Sequence, residues 1–301
     1  LAQVLIFDMQ TKQESQASLS MPRAFIGAVS AGTKLFFAGG WTWSGALSRV
    51  EIVDIATGQS SIAELSAPRF SVATAVVGNK VFFAGGFYYI GSERKVSSRV
   101  DIYDLANNSW STAELSEARA EMATVVIGQK LYFVGGSKVT IESSAIDVYD
   151  AVSGSWTRAN LASGVANAAG IAVGSKIYLA GGYKITGVTP GGSPISTHQC
   201  DVQVWDVINQ TTTVLSLKKS ISSVIAARYN DKLVFFPGPE AWASLFEVYN
   251  TTTGSWSVGL LPNLLIEGIP FVYNNELYLA GGYWEYVSTS TFNNQILKLE
   301  L

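Results

Sequence analysis

The sequence predicts an all-β fold, a six-bladed β-propeller with four antiparallel strands per blade, and three observations carry the prediction. An apolar strand running into a glycine pair recurs six times in one register, as in Lys130-Leu131-Tyr132-Phe133-Val134-Gly135-Gly136, always with a charged residue five positions before the first glycine slot. The copies follow one another at roughly 40 to 50 residues, the length of one small sheet that cannot bury both faces alone. Each glycine strand is preceded by an alternating apolar strand and followed by a strand that ends in an apolar–acid pair and a polar turn.

A unit begins with an alternating strand such as 71–77, joined to its glycine strand by Gly78-Asn79; Gly128-Gln129, Gly174-Ser175 and Asn230-Asp231 stand at the same place in later units. Two-residue connections of this composition signal tight hairpins. The glycine strands span 34–40, 80–86, 130–136, 176–182, 232–238 and 276–282, the fifth carrying Pro237-Gly238 in the glycine positions. A strand end without side chains implies close approach, with neighbouring backbone and large aromatics packed against it. The third strand ends in Tyr103-Asp104, Tyr149-Asp150 or Tyr249-Asn250, and a tryptophan follows the acid or amide by six residues, at Trp110, Trp156 and Trp256. The turn between them is rich in Asn, Ser, Thr and Gly, which bond local backbone and tolerate left-handed conformations, so these segments form a hairpin. Val53-Asp54 leads instead to Ser60 and Trp205-Asp206 to Thr212, so those sheets must fill the tryptophan's volume differently.

The ends close the ring. Residues 294–301 align with a third strand and leave the last unit short of its outer one, which Val4-Leu5-Ile6-Phe7-Asp8 and the following 14–19 can supply. Closure through both termini removes exposed sheet edges. Phe7-Asp8 also has the pattern of a third strand, so the other reading is a seventh blade lying outside the sequence. A chain that opens inside a strand-like segment points to a longer precursor. On the six-blade reading, residues 1–301 are a single propeller domain and a monomer.

Composition narrows the function classes. The chain of 301 residues is 48% hydrophobic but only 14% charged, with a net charge of −3. That balance gives no basic face for nucleic acid. No run of 18 apolar residues and no charged-then-apolar leader is present, so neither a membrane span nor a signal peptide is expected within it. The single cysteine, Cys200, reads as a buried free thiol. His198 is the only histidine, and in the Gly/Pro/Ser-rich stretch 184–198 it reads as an exposed loop residue and not as a metal ligand. Gly191-Gly192 precedes no helix and so is no nucleotide loop. Glycosylation acceptor patterns at Asn107, Asn209 and Asn250 all fall in turns where such residues are expected anyway, so an extracellular or surface location is only slightly favoured over a cytoplasmic one.

The apolar strand ending in Gly-Gly, the later Tyr-Asp, the tryptophan six residues on and the Met-Pro-x-x or Pro-Arg segment before the next unit together resemble kelch repeats over nearly the whole chain. The resemblance implies a propeller whose post-glycine loops and entering segments open on one end and line its mouth. It implies no single activity, since kelch propellers serve as adaptors, substrate receptors, actin binders, sugar-handling enzymes and oxidases. The kelch copper oxidases need several histidines and the iron-holding specifier proteins need a Glu, Asp and Cys set; neither is present in matching form, and no cofactor or metal is expected.

Candidate binding residues follow from that mouth. Arg23, Arg69 and Arg119 stand sixteen residues before their glycine pairs, and Val165, Ile221 and Leu265 occupy the slot in the later units. Clustered guanidinium groups suit a carboxylate or an acidic peptide; the alternative is that each arginine pairs with a nearby acid such as Glu121. Glu121 and Glu267 lie two residues beyond the slot, where a carboxylate could face the axis or act as a base. Trp41, Trp43, Tyr88, Tyr183, Trp242, Tyr283 and Trp284 follow the glycine pairs as aromatic anchors for a ligand, the alternative being that the first residue after each pair packs on the next blade. These residues point to a non-enzymatic module that binds a peptide, a protein segment or a glycan. The alternatives are a sugar-handling enzyme similar to the kelch-type sialic acid mutarotases, with the arginines holding a carboxylate, and a ligand-free structural module or engineered repeat scaffold.

Overall fold

The structure is a computed structural model that describes residues 2–189, 194–217, 224–236, 245–261, 265–266, 268–281, 283–286, 289–292 and 296–300, with backbone alone at 265–266, 283–286 and 289–292. Among these residues every regular element is a β-strand. The chain divides into two compact units, Leu1–Phe133 with Asp147–Arg158, and Val134–Ile146 with Ala159–Leu301.

The first unit contains two complete four-stranded antiparallel sheets. One runs Gly27–Ala31, Lys34–Ala38, Arg49–Asp54, Ser60–Glu64; the other runs Ala73–Val77, Lys80–Ala84, Arg99–Asp104, Ser109–Glu114. A third sheet, Ala123–Ile127, Lys130–Val134, Ala145–Asp150, Trp156–Asn160, contributes residues to both units. The second unit holds the fourth sheet (Ala169–Val173, Lys176–Ala180, Asp201–Asp206, Thr211–Ser216), the fifth (Ile225–Tyr229, Lys232–Phe236, Leu245–Asn250, Trp256–Leu260) and a sixth of three strands, Ile269–Tyr273, Glu276–Ala280 and Ile296–Leu299. In each sheet the strands lie in chain order, and these are the blades of a six-bladed β-propeller.

The terminal segments supply strands of the expected kinds. Ile296–Leu299 pairs with Glu276–Ala280 in the place of a third strand, while Gln3–Phe7 pairs with Glu14–Ser18 as a hairpin of the third-and-fourth type. That hairpin has the same turn as the others: the Asp8 carboxylate accepts the N–H of Gln10 at 2.8 Å, as Asp54 does from Ala56 at 3.0 Å, Asp104 from Ala106 at 2.9 Å and Asp150 from Val152 at 2.9 Å.

The glycine strands are two residues shorter than the sequence suggests. Lys34–Ala38 and Lys80–Ala84 stop before their glycines because Gly39 (φ +62°) and Gly85 (φ +61°) are left-handed, a conformation that leaves the strand. The post-glycine segments in turn are ribbons and not loops: Trp41–Thr42 pairs with Gly45–Ala46, Phe87–Ile90 with Glu93–Val96, and Tyr183–Val188 with Pro194–His198. His198, expected in an irregular loop, is thus the end of a strand opposite Tyr183. Cys200, half-buried, packs beside the core of the fourth and fifth sheets.

The tryptophans cap the cores where expected. Trp110 lies across the strand pair from Tyr103 with ring centroids 5.1 Å apart and also meets Phe83 at 5.7 Å; Trp156 meets Tyr149 at 5.2 Å and Trp256 meets Tyr249 at 4.9 Å. Such pairs add stabilisation beyond their buried area. In the fourth sheet the bulk changes sides: buried Trp205 takes the tyrosine position and faces Thr212 across the strands.

The turn carboxylates set an acid limit on this architecture. Backbone N–H groups hold Asp8, Asp104, Asp150 and Asp206 below the ordinary carboxylate range, chiefly through Thr11, Ala106, Val152 and Asn209 respectively. A depressed folded-state pKa gives stability that is present above the unfolded value, about 3.9 for Asp, and is lost as pH falls through the folded value. Urea midpoints should therefore drop from pH 7 to below about pH 4. Asp150→Asn, which reproduces the native amide of Asn250 in the equivalent turn, should flatten that dependence relative to the wild type; an unchanged acid slope in the variant would show that Asp150 does not contribute.

Candidate functional site

The entering arginines are not at a free surface. Arg23, Arg69 and Arg119 are all buried, and each guanidinium is ion-paired with an acid on the third strand of its own sheet: Arg23 Nη1 with Glu51 Oε1 at 2.7 Å, Arg69 with Asp101, and Arg119 with Asp147. Each also donates to glycine-strand backbone, Arg23 to Phe37 O at 3.0 Å, Arg69 to Gly85 O at 2.7 Å and Arg119 to Phe133 O at 3.2 Å. The acids are completed by the chain just ahead of the arginine, accepting the N–H of Ser20 at 2.6 Å, Ser66 at 2.8 Å and Ser116 at 3.0 Å. Burial pulls the Arg69 and Arg119 guanidinium groups below the usual arginine value, and Asp101 and Asp147 oppose that by favouring the charged form. The pairing alternative is therefore the arrangement found, with partners other than Glu121.

The sequence carried a signal for those partners. Glu51, Asp101 and Asp147 each stand three residues before the turn acid, at Asp54, Asp104 and Asp150, and on a strand that position shares a face with Val53, Tyr103 or Tyr149 and lies opposite to the turn acid. Where the arginine slot holds Val165, the acid slot holds Gln203, also buried. Glu247 breaks the correlation: it is buried in the acid slot of the fifth sheet, while Ile221 in the matching arginine slot lies outside the described residues.

Glu121 occupies a slot with a backbone signature. Phe25, Ser71, Glu121 and Asn167, each two residues past the arginine slot, have φ of 53°, 51°, 55° and 54°. The register that suggested an axial carboxylate marks a left-handed turn, repeated in four units. Glu267 and Trp242 lie outside the described residues, and Tyr283 and Trp284 are placed by backbone alone, opposite Phe292 and Thr291. Tyr183 in the second unit is half-buried and exchanges backbone hydrogen bonds with Ala166, as Trp41 does with Ala24 and Phe87 with Phe70.

What the first unit does present is aromatic. Trp41 meets Phe70 edge-on at 5.2 Å and Tyr89 at 5.1 Å, Tyr89 stacks on Phe70 at 6.0 Å, and Phe25 meets Phe70 at 6.0 Å. Around this cluster Phe25 is 64% exposed, Ile90 63% and Tyr89 42%, while Trp43 at the ribbon tip is fully exposed. Trp41, Thr42 and Trp43 line a pocket of about 400 Å³ with Pro22, Arg23 and Ala24, and its wall is mostly apolar. Tyr88 and Arg69 line a second pocket, of about 330 Å³, with residues of the second sheet's outer strands. Of the expected residues, Trp41, Trp43 and Tyr88 thus line two pockets of one unit, and the three arginines are held in internal ion pairs. Among the described residues, no three His, Cys, Asp or Glu side chains converge to hold a metal ion, and no helix is long and apolar enough to cross a membrane.

Residues 68–114 and 118–160 match the Kelch motif. The solved structure of YjhT is similar over 92% of this chain and 95% of that one, with a TM-score of 0.63 at 16% sequence identity, a likeness of fold alone. No curated protein matches the chain. Sheets, turns and these matches define a six-bladed β-propeller built from repeats. Two kelch motifs, at 68–114 and 118–160, lie within that propeller.

Because Arg119 is fully buried with its acid, removing one partner alone should be costly. Arg119→Val leaves Asp147 as an uncompensated buried charge and should lower unfolding free energy by about 3–5 kcal/mol. Adding Asp147→Asn recreates the neutral pair of Val165 and Gln203 and should recover more than half of the loss. Denaturant titration of both variants checks this, and a single variant as stable as the wild type would remove the structural role assigned to the pair.

Proposed function

We propose that the chain is a non-enzymatic binding module that takes a peptide, a protein segment or a glycan against the aromatic surface of Trp41 and Trp43. One observation carries this reading: Trp43 stands fully exposed at the tip of a short ribbon, over a pocket whose wall it shares with Trp41. The unburied Trp43 indole, and the exposed Phe25, Tyr89 and Ile90 of the same unit, are apolar surface that association would remove from water. Tryptophan is also among the residues that most often dominate binding energy. The ribbon is rooted by the bonds between Trp41 and Ala24, so its tip is presented on a fixed base.

A carboxylate-holding sugar enzyme would draw on Arg23, Arg69 and Arg119, and all three guanidinium groups are engaged inside their own sheets. The arginines therefore support the aromatic reading over that alternative.

Peptide and glycan arrays probed with the full chain test the reading. A specific ligand should appear, and Trp43→Ala, an exposed change that leaves folding intact, should weaken it by about tenfold or more. Absence of any ligand whose affinity falls on Trp43→Ala or Phe25→Ala would overturn it.

A further inference from the structure

The second pocket of the first unit has a chemistry unlike the aromatic surface. Its volume of about 330 Å³ falls at the small end of the range for small-molecule sites. Pro68, Val96 and Tyr88 give it apolar wall, and Ser97, Ser98, Arg99 and Glu114 give it polar wall.

Its charges cancel in pairs. Arg69, at the base, is bound to Asp101, and Arg99 Nε lies 3.1 Å from Glu114 Oε1. The pocket therefore favours neither an anion nor a cation, but the Arg99–Glu114 pair sets donors and acceptors side by side. Ser98 Oγ donates to Glu114 Oε2 at 2.6 Å, and Ser97 Oγ accepts the Arg99 N–H at 3.1 Å, which leaves the Ser97 hydroxyl proton to donate elsewhere. Among the described residues the terminal N–H groups of Arg99 and the hydroxyl of Tyr88 have no protein partner.

The backbone here is closed to an added strand. Ser97 N–H goes to Gly86 O at 3.0 Å, Ser97 O accepts from Arg119 N at 3.1 Å, Ser98 O from Leu115 N at 2.8 Å, and Arg99 O from Gly85 N at 2.9 Å. A peptide segment binding by main-chain pairing finds no row of free groups. What remains is a neutral pocket that recognises through side chains alone, with one aromatic ring, two hydroxyl-bearing serines and a paired donor and acceptor. A compact ligand carrying vicinal hydroxyls around an apolar C–H face satisfies each of these features.

We propose that this pocket holds one ring of a neutral saccharide, with Tyr88 beside the ring and Arg99 and Glu114 bridging neighbouring hydroxyls. The proposal goes beyond the aromatic surface of Trp41 and Trp43: it assigns a second, separate site with a ligand of its own.

The test is saturation-transfer NMR and calorimetry on the full chain. The probes are glucose, galactose, mannose and N-acetylglucosamine, with glucuronate and inorganic phosphate as charged comparisons. At least one neutral sugar should bind saturably, with an affinity that changes less than about twofold between low and high salt because no net charge is engaged. Tyr88→Ala and Glu114→Gln should each weaken it by about tenfold, while Val152→Ala, an exposed change outside both pockets, should change it by less than about twofold. Both pocket variants alter partly exposed side chains, and matching thermal midpoints establish that they fold. Binding of glucuronate or phosphate alone, no sugar binding at millimolar concentration, or affinities indifferent to both pocket variants would overturn the proposal. Array hits lost on Trp43→Ala, with no neutral sugar bound that responds to Tyr88→Ala or Glu114→Gln, would sink this inference and leave the aromatic-surface reading standing.

Discussion

Arg69 and Arg119 each tie two successive repeats together, and the register of the sheets around them depends on that. The backbone of each belongs to the repeat before: Arg69 N–H bonds Leu47 O at 3.0 Å and its carbonyl accepts from Gly40 N at 3.0 Å, and Arg119 does the same with Ser97 at 3.1 Å and Gly86 at 3.1 Å. The side chain of each belongs to the repeat that follows, through the acid of the third strand and a carbonyl of the glycine strand. Taking two charges out of water costs several kcal/mol per ion unless further hydrogen bonds complete the pair, and here the Ser66 and Ser116 N–H groups do so. Such a pair fixes geometry more than it adds net stability. The fourth repeat separates the two halves of the device: Val165 keeps the backbone bonds, to Ser143 at 3.2 Å and from Gly136 at 2.8 Å, and gives up the charge.

That junction dictates the glycines. A Cβ on Gly39 would lie 2.2 Å from Arg69 O, and one on Gly85 the same 2.2 Å from Arg119 O, distances no side chain can occupy. The glycine pair is thus required by the carbonyl of the next repeat and by a left-handed turn, and the ribbon begins immediately beyond it. The bridges from Trp41 to Ala24, Phe87 to Phe70 and Tyr183 to Ala166 anchor the roots of the ribbons identically. Their tips are under no such constraint, so length and chemistry diverge there: Trp43 and Ser44 close a two-residue turn in the first repeat, while the second extends to Ile90 and Glu93.

The repeat pattern made the fold legible, because strand, turn and tryptophan recur at fixed offsets that local chemistry explains. Asp104 and Trp110 could be placed from six residues of spacing, since a turn that bonds its own backbone sets the register of both strands. The arginines stand at the register read from the sequence, and of the two tasks left open there the structure shows the internal pairing. Position alone does not say whether a charged side chain turns outward or inward, and the acid that decides it stands 28 to 32 residues away on another strand, as in Arg119 to Asp147 and Arg69 to Asp101. Glu121 seemed near enough in sequence to serve, yet its left-handed φ of 55° belongs to a turn. The ribbon of Tyr183–Val188 with Pro194–His198 does not show in the sequence because glycine, proline and serine read as loop; Gly187 sits at a register shift within the pairing, where a strand tolerates it.

The same device withdraws charge from recognition. In a chain with only 14% charged residues, each of the first three repeats turns one cation and one anion into its sheet. A net charge of −3 gives long-range steering little to act on. Selectivity must come from shape, from the stacking faces of Trp41, Trp43 and Tyr88, and from the few hydrogen-bonding groups that the protein itself leaves unsatisfied. Those are the terms in which an uncharged ligand is distinguished from its analogues, since a hydroxyl lost opposite a buried donor costs more than a methylene lost from an apolar wall.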